Sequence, residues 1–163
     1  MTMLADHIRS EHRDIAPHLE TMLLTAHAVG EVPLHVLRDM TAVVLEFVLR
    51  ELLPHANRED GVLYLAVERA YGAAGATDAM KREHREIEAH SQELSDLHGS
   101  LVIGHEVHED TIRALRRVLY GMHAVVSLHL AVEEDVYLPL LGDHLDSSAH
   151  KDPTAAMDHG RTH

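Results

Sequence analysis

The sequence predicts an all-α fold: an antiparallel up-down-up-down four-helix bundle with a pseudo-twofold internal repeat. Three observations lead there. Apolar residues recur at spacings of three and four along four long segments. Tryptophan is absent and Phe47 is the one phenylalanine, so the core must be built from Leu, Val, Ile, Ala and Met, which suits helices better than strands. The run EHRDIAPH at 11–18 returns as EHREIEAH at 83–90, and HANREDGV at 55–62 returns as HLAVEEDV at 129–136, offsets of 72 and 74 residues.

The first helix is expected over 3–28. Its inner stripe is Ile8, His12, Ile15, Leu19, Met22 and Ala26, and its polar stripe is His7, Glu11, Asp14 and His18. Gly30 ends it, and Pro33 suits the first turn of the next helix. The second helix is expected over 33–71, kinked by Pro54, with Leu45, Val48, Leu52, His55, Glu59, Val62 and Ala66 inward. A Gly/Ala loop follows at 72–76, with Thr77 as N-cap. The third helix covers 78 to about 98, with Met80, His84, Ile87, Ser91 and Leu94 inward and Glu83, Glu86, His90 and Glu93 outward. The stretch HGSLVIGHEVHED loses the pattern and reads as a connection. The fourth helix covers about 107–141, with Leu115, Val118, Met122, Val126, His129, Glu133, Val136 and Leu140 inward and Pro139 bending its last turn. Residues 1–142 thus form one domain. Residues 143–163, with His144, His150, His159 and His163, read as a polar, mobile tail.

Composition removes several classes of function. Asp and Glu number 27 against 14 Lys and Arg, a formal charge of −13, which argues against nucleic acid and anionic membranes as partners. With no cysteine there is no disulfide, thiolate metal site or catalytic thiol. No apolar run spans a bilayer, and the N-terminus lacks the apolar region of a signal peptide, so the cytoplasm is the expected compartment. The sequence leaves the oligomeric state open.

Histidine is the anomaly, with 17 copies. His55 and Glu59 are four residues apart, hence one turn apart on one helix face, and so are His129 and Glu133. With His12 and His84 they give four imidazoles and two carboxylates on four inward faces. A buried carboxylate is costly unless something pairs with it. A metal-free polar network of this size would be hard to satisfy, whereas cations would satisfy it. Imidazole and carboxylate without thiolate suit iron or manganese, and zinc less decisively. If Glu59 and Glu133 bridge, six side chains can hold two metals and leave open coordination positions for a small neutral ligand such as dioxygen or peroxide.

The order His, His-x-x-x-Glu, His, His-x-x-x-Glu on four helices resembles the hemerythrin-like, or HHE, cation-binding proteins. The match covers residues 3–142, and ELLPHANREDGVLY and LYGMHAVVSLHLAVEEDVYLPLL look like the bacterial single-domain members. The resemblance implies a bundle holding two non-haem iron ions. It makes His12, His55, His84 and His129 terminal ligands and Glu59 and Glu133 bridges. One departure bears on function. The oxygen-carrying hemerythrins place another His four residues after the third-helix ligand, where this chain has Glu88, a residue that could ligate, bridge or face water. The carriers' spacing of last His to carboxylate would select Glu134, whereas the repeat and the stripe select Glu133.

Other residues invite a functional reading. His18 and His90 fall on polar stripes and read as exposed, while His123 borders the core as a supporting or gating residue. HEVHE at 105–109 has its histidines three apart, not the four of a zinc-protease helix. Tyr64, Tyr71, Tyr120 and Tyr137 read as packing residues. No Glu-x-x-His occurs, which disfavours ferritin-like di-iron chemistry. The expected function is therefore a di-iron protein that binds, senses or reacts with dioxygen, peroxide or nitric oxide, with catalase- or peroxidase-like activity open and bulk oxygen carriage disfavoured. The alternatives are a bundle that a metal such as zinc merely stabilises, and a metal-free bundle with buried His as a pH switch.

Overall fold

The computed structural model describes residues 3–141. The expected tail at 143–163 lies outside them. Among the described residues the fold is all helical, with four helices and no strand. The first helix, α1, is Met3–Ala28. The second, α2, is composite: α-helical over Leu34–Phe47, Leu53–Arg58 and Tyr64–Tyr71, with π turns at Val48–Leu52 and Glu59–Leu63. The third, α3, is Asp78–Ile103. The fourth, α4, is Glu109–Val132 followed by a π turn at Glu133–Tyr137 and helix over 138–141. Helix α4 packs on α1 and α3, and α2 packs on the same two. No helix among the described residues is long and apolar enough to cross a membrane.

The π turns explain where periodicity alone misjudges the inner face. Leu53 N–H bonds to Val48 C=O, five residues back, immediately before Pro54. The same i−5 bond joins Leu138 to Glu133 immediately before Pro139. A wider turn ahead of each proline accommodates the missing N–H that an α-helical ladder would need. A third π turn begins at Glu59, with Tyr64 N–H on Glu59 C=O. Each extra residue moves the inner face on by one position. Val62, expected inside, is exposed, and Leu63 and Tyr64 are buried in its place. Val136 is likewise exposed and Leu140 half-buried, whereas Leu138 and Leu141 are buried. Ala66 is half-buried beside the buried Val67.

Two ends also differ from expectation. Helix α3 continues five residues beyond 98, and α4 starts at Glu109. Arg38 of α2 donates Nε to Leu101 C=O and Nη2 to Gly104 C=O, both at 2.5 Å, so carbonyls that a helix end leaves bare are satisfied from a neighbour. Leu101 is buried one heptad after Leu94 and anchors the extra turn. At the other end Thr77 makes no N-cap bond. Its hydroxyl donates to Glu68 instead. Gly72 ends α2 in the left-handed conformation, φ 60°, which a side chain would strain.

The apolar interior falls into two clusters. The larger includes Ile15, Leu52, Ile87, Leu94, Met122 and Val126. The smaller includes Ala5, Ile8, Leu63, Tyr64, Val67, Met80, Leu138 and Leu141. On every helix the inward histidine falls between residues of the two: His12 between Ile8 and Ile15, His55 between Leu52 and Leu63, His84 between Met80 and Ile87, and His129 between Val126 and Leu138. The polar groups thus form one layer through an otherwise apolar core. Truncating the fully buried Met122 to Ala is expected to cost about 2–5 kcal/mol in chemical denaturation. The same change at exposed Leu128 should stay within about 0.5 kcal/mol.

Candidate metal centre

All six residues singled out in the sequence lie in that layer, and all are buried. Glu59 and Glu133 are 0 % exposed. His12 and His84 are the most open of the six, at 6 %. Two overlapping groups form, His12/His55/Glu59/Glu133 and Glu59/His84/His129, each with donor atoms within 4.8 Å of one another. The rings of His12 and His55 meet edge to face with centroids 5.2 Å apart, and those of His84 and His129 are 4.5 Å apart.

Four further carboxylates decide what the imidazoles present to the centre. His12 Nδ1 bonds Glu134 (2.9 Å), His55 Nδ1 bonds Glu11 (3.0 Å), His84 Nδ1 bonds Asp60 (3.0 Å) and His129 Nδ1 bonds Glu83 (3.0 Å). An ionised carboxylate only accepts, so each Nδ1 carries the proton and donates it. A neutral ring then turns a bare Nε2 lone pair inward. His84 Nε2 and His129 Nε2 stand 3.0 Å apart, close enough to share one proton or one cation.

The geometry of the two central carboxylates is equally specific. Glu59 Oε1 lies 3.4 Å from His12 Nε2 and 3.0 Å from His55 Nε2, while its Oε2 lies 3.3 Å from His84 Nε2 and 3.6 Å from His129 Nε2. Glu133 turns Oε2 to His12 Nε2 at 3.2 Å and Oε1 to His129 Nε2 at 3.6 Å. His55 Nε2, Glu59 Oε2 and Glu133 Oε2 are fully enclosed and make no hydrogen bond. The short distance from His55 Nε2 to Glu59 Oε1 is thus a close approach without hydrogen-bond alignment. Donor atoms 3.0–3.6 Å apart are close enough to share one cation. Three enclosed donor atoms left without hydrogen bonds, amid converging imidazoles and carboxylates, fit a metal.

Tyr64 completes the layer. Its hydroxyl donates to Glu133 Oε1 at 2.5 Å and lies 3.4 Å from both His84 Nε2 and His129 Nε2. The other three tyrosines stay outside the layer, with Tyr71 and Tyr120 exposed. Tyr71 and Tyr137 bond backbone carbonyls of Leu140 and Ala76, and Tyr120 lies against His27 at the surface. The packing reading of Tyr64 is corrected because the π turn at Glu59–Leu63 moves it onto the inner face.

The assignment of Glu11 and Glu83 to solvent-facing stripes is corrected by their bonds to His55 and His129. The signal was present in the repeat, where each Glu immediately precedes an inward His. Glu133, not Glu134, occupies the centre, and Glu134 orients His12 from outside. Glu88 is exposed, and His123 is half-buried and belongs to neither donor group. His18 and His90 are not the open side chains expected. His18 stacks on Phe47 with centroids 4.3 Å apart, and His90 packs where Gly121 leaves room. HEVHE lies mainly in the exposed connection before α4.

Four helices with a buried His/Glu layer define a cation-binding helical domain. The family profile of the hemerythrin HHE cation-binding domain matches residues 3–141, nearly the whole chain, and the chain belongs to that family. No curated protein and no solved structure matches it. Family and buried cluster together point to metal binding.

Without metal, protons take the cation's place. Burial opposes charge on His12, but Glu133, Glu59 and Glu134 outweigh it and push its pKa up to about 10. His55 and His84 are also raised against burial, chiefly by Glu59. Burial works against ionised Glu59 too, yet the surrounding imidazoles hold its carboxyl far below the usual range. Glu133 moves up, through burial and the adjacent Glu59 charge. A raised folded-state pKa gives stability that is complete below the unfolded value, near 6.5, and is lost as pH rises through about 10. The depressed Glu59 and Glu11 act oppositely, stabilising above about 4.5 and losing that as pH falls. Metal-free protein should therefore melt highest between these limits and lower at pH 10 than at pH 6.5, and thermal melts across pH check it.

Proposed function

We propose that the chain is a non-haem di-iron protein that binds, senses or reacts with dioxygen, peroxide or nitric oxide. The observation that carries this reading is the division of each central carboxylate, with one oxygen of Glu59 and of Glu133 toward each histidine pair. In this reading His12 and His55 hold one ion, His84 and His129 hold the other, and Glu59 and Glu133 bridge. The thiolate-free donor set suits iron. The antiparallel up-down-up-down arrangement and the internal repeat belong to the same reading. Supporting them, Arg9 of α1 pairs with Glu134 late in α4, while Val29, just past α1, accepts from Arg116 early in α4.

A pair of irons supplies one- and two-electron redox chemistry toward such ligands. The chain's own contribution is to fix, shield and handle protons. The four outer carboxylates lock the imidazole tautomers and ring orientations. The Tyr64 hydroxyl donates its proton toward Glu133 at the His84/His129 side, a hydrogen-bond donor held against the layer. Apolar clusters above and below keep bulk water out and leave a lining that a small neutral molecule can approach. Position 88 offers an exposed carboxylate, not a further imidazole, which speaks against bulk oxygen carriage.

Iron reconstitution followed by metal analysis and near-UV spectroscopy tests the reading. The expected result is two bound irons per chain with charge-transfer absorption that changes on adding peroxide, and less than one iron in Glu59→Ala. Peroxide loss, where present, should vanish in His55→Ala. Fewer than one tightly bound iron in the parent chain, or a folded zinc protein indifferent to peroxide and oxygen, would contradict it.

A further inference from the structure

The four outer carboxylates follow the sequence repeat, but the cations around them do not. On the His12/His55 side, Glu134 also receives Arg9 Nε at 3.2 Å, and Glu11 receives Arg58 Nη2 at 2.5 Å. His7 approaches Glu11 as well, at 3.6 Å. Each of these carboxylates divides its charge between an inward imidazole and a guanidinium. On the other side, Asp60 and Glu83 bond His84 and His129, and among the described residues neither has an ion pair with Lys or Arg.

The sequence itself encodes this difference. The offset of 72 sets Lys81 against Arg9, and the offset of 74 sets Val132 against Arg58. Lys81 keeps a charge but pairs it with Glu68, so that it acts on Asp60 only through space. Its Nζ lies on Glu68 Oε1 at 2.8 Å, and Thr77 donates to the same oxygen at 2.6 Å. Val132 carries no charge at all.

We propose that the two cation positions differ in affinity. The position at His84/His129, backed by two carboxylates free of arginine, takes the first cation. The position at His12/His55, whose carboxylates are shared with Arg9 and Arg58, takes the second and loses it more readily. This rests on the two-cation reading above. A carboxylate that accepts Nδ1–H makes Nε2 a stronger donor and adds negative charge near the ion, and such outer partners commonly change metal affinity about 10- to 100-fold. A guanidinium on the same carboxylate withdraws that charge and brings a like charge toward the cation. Arg58 and Asp60 are half open to water, at 49 % and 42 % side-chain exposure, so screening puts the effect toward the lower end of the range.

Anaerobic calorimetric titration of the metal-free full chain with ferrous ion tests this. Two steps separated by about 10-fold are expected. Glu83→Gln should weaken the tighter step and Glu11→Gln the looser one. Arg58→Met should tighten the looser step and narrow the gap, while Arg58→Lys should restore much of it. The arginine variants leave Tyr64 and all six central residues intact, and melts of the metal-free variants check folding. Two equal steps, or an Arg58→Met protein with the parent's two affinities, would overturn the inequivalence and leave two-cation binding standing. Absence of ferrous binding would overturn the two-cation reading itself.

Discussion

The structure depends on one electrostatic constraint: two carboxylates, Glu59 and Glu133, are wholly buried among four imidazoles whose free nitrogens face them. Desolvating a carboxylate is expensive, and two side by side repel. Positive charge must enter the layer, as metal ions or as protons on the rings. The outer carboxylates make metal the better answer. They occupy every Nδ1, fix one tautomer on each ring and leave Nε2 bare. The apolar clusters on either side remove water as an alternative partner and strengthen the charges' mutual influence.

Backbone and site are linked through the π turns. Two of the three begin at the central glutamates, Glu59 and Glu133, and each follows its histidine by one α-helical turn. The histidine-to-glutamate spacing is therefore ordinary helix geometry, while the segment after each glutamate is displaced by an extra residue. In α2 that displacement brings Tyr64 onto Glu133 and closes the layer beneath it with Leu63 and Val67. In α4 the equivalent place is Leu138, which is apolar and buried. Tyr64 and Leu138 thus give the two segments different local charge and proton supply.

Much of this was legible in the sequence. The four helices, the stripe of α1 and the six central residues follow from spacing, because a histidine in an apolar stripe keeps helical periodicity whatever it binds. Three things lie beyond it for physical reasons. Periodicity assumes 3.6 residues per turn, so it fails within and just after a π turn, where Val62 and Val136 exchange places with Leu63 and Leu138. Stripes also sort residues by their own helix. Glu11 and Glu83 lie off the inner stripe of α1 and α3 yet reach histidines on α2 and α4, contacts that only the packed bundle creates. The end of α3 was missed likewise, because its last carbonyls are satisfied by Arg38, distant in sequence.

The central claim is that cations hold the six inward side chains together. Anomalous diffraction at the iron edge, from crystals of the iron-loaded chain, tests it most directly. Two anomalous peaks are expected, one against His12 and His55 and one against His84 and His129, with Glu59 and Glu133 reaching both. Well-ordered side chains converging on no anomalous peak, or iron located only elsewhere on the chain, would contradict the account.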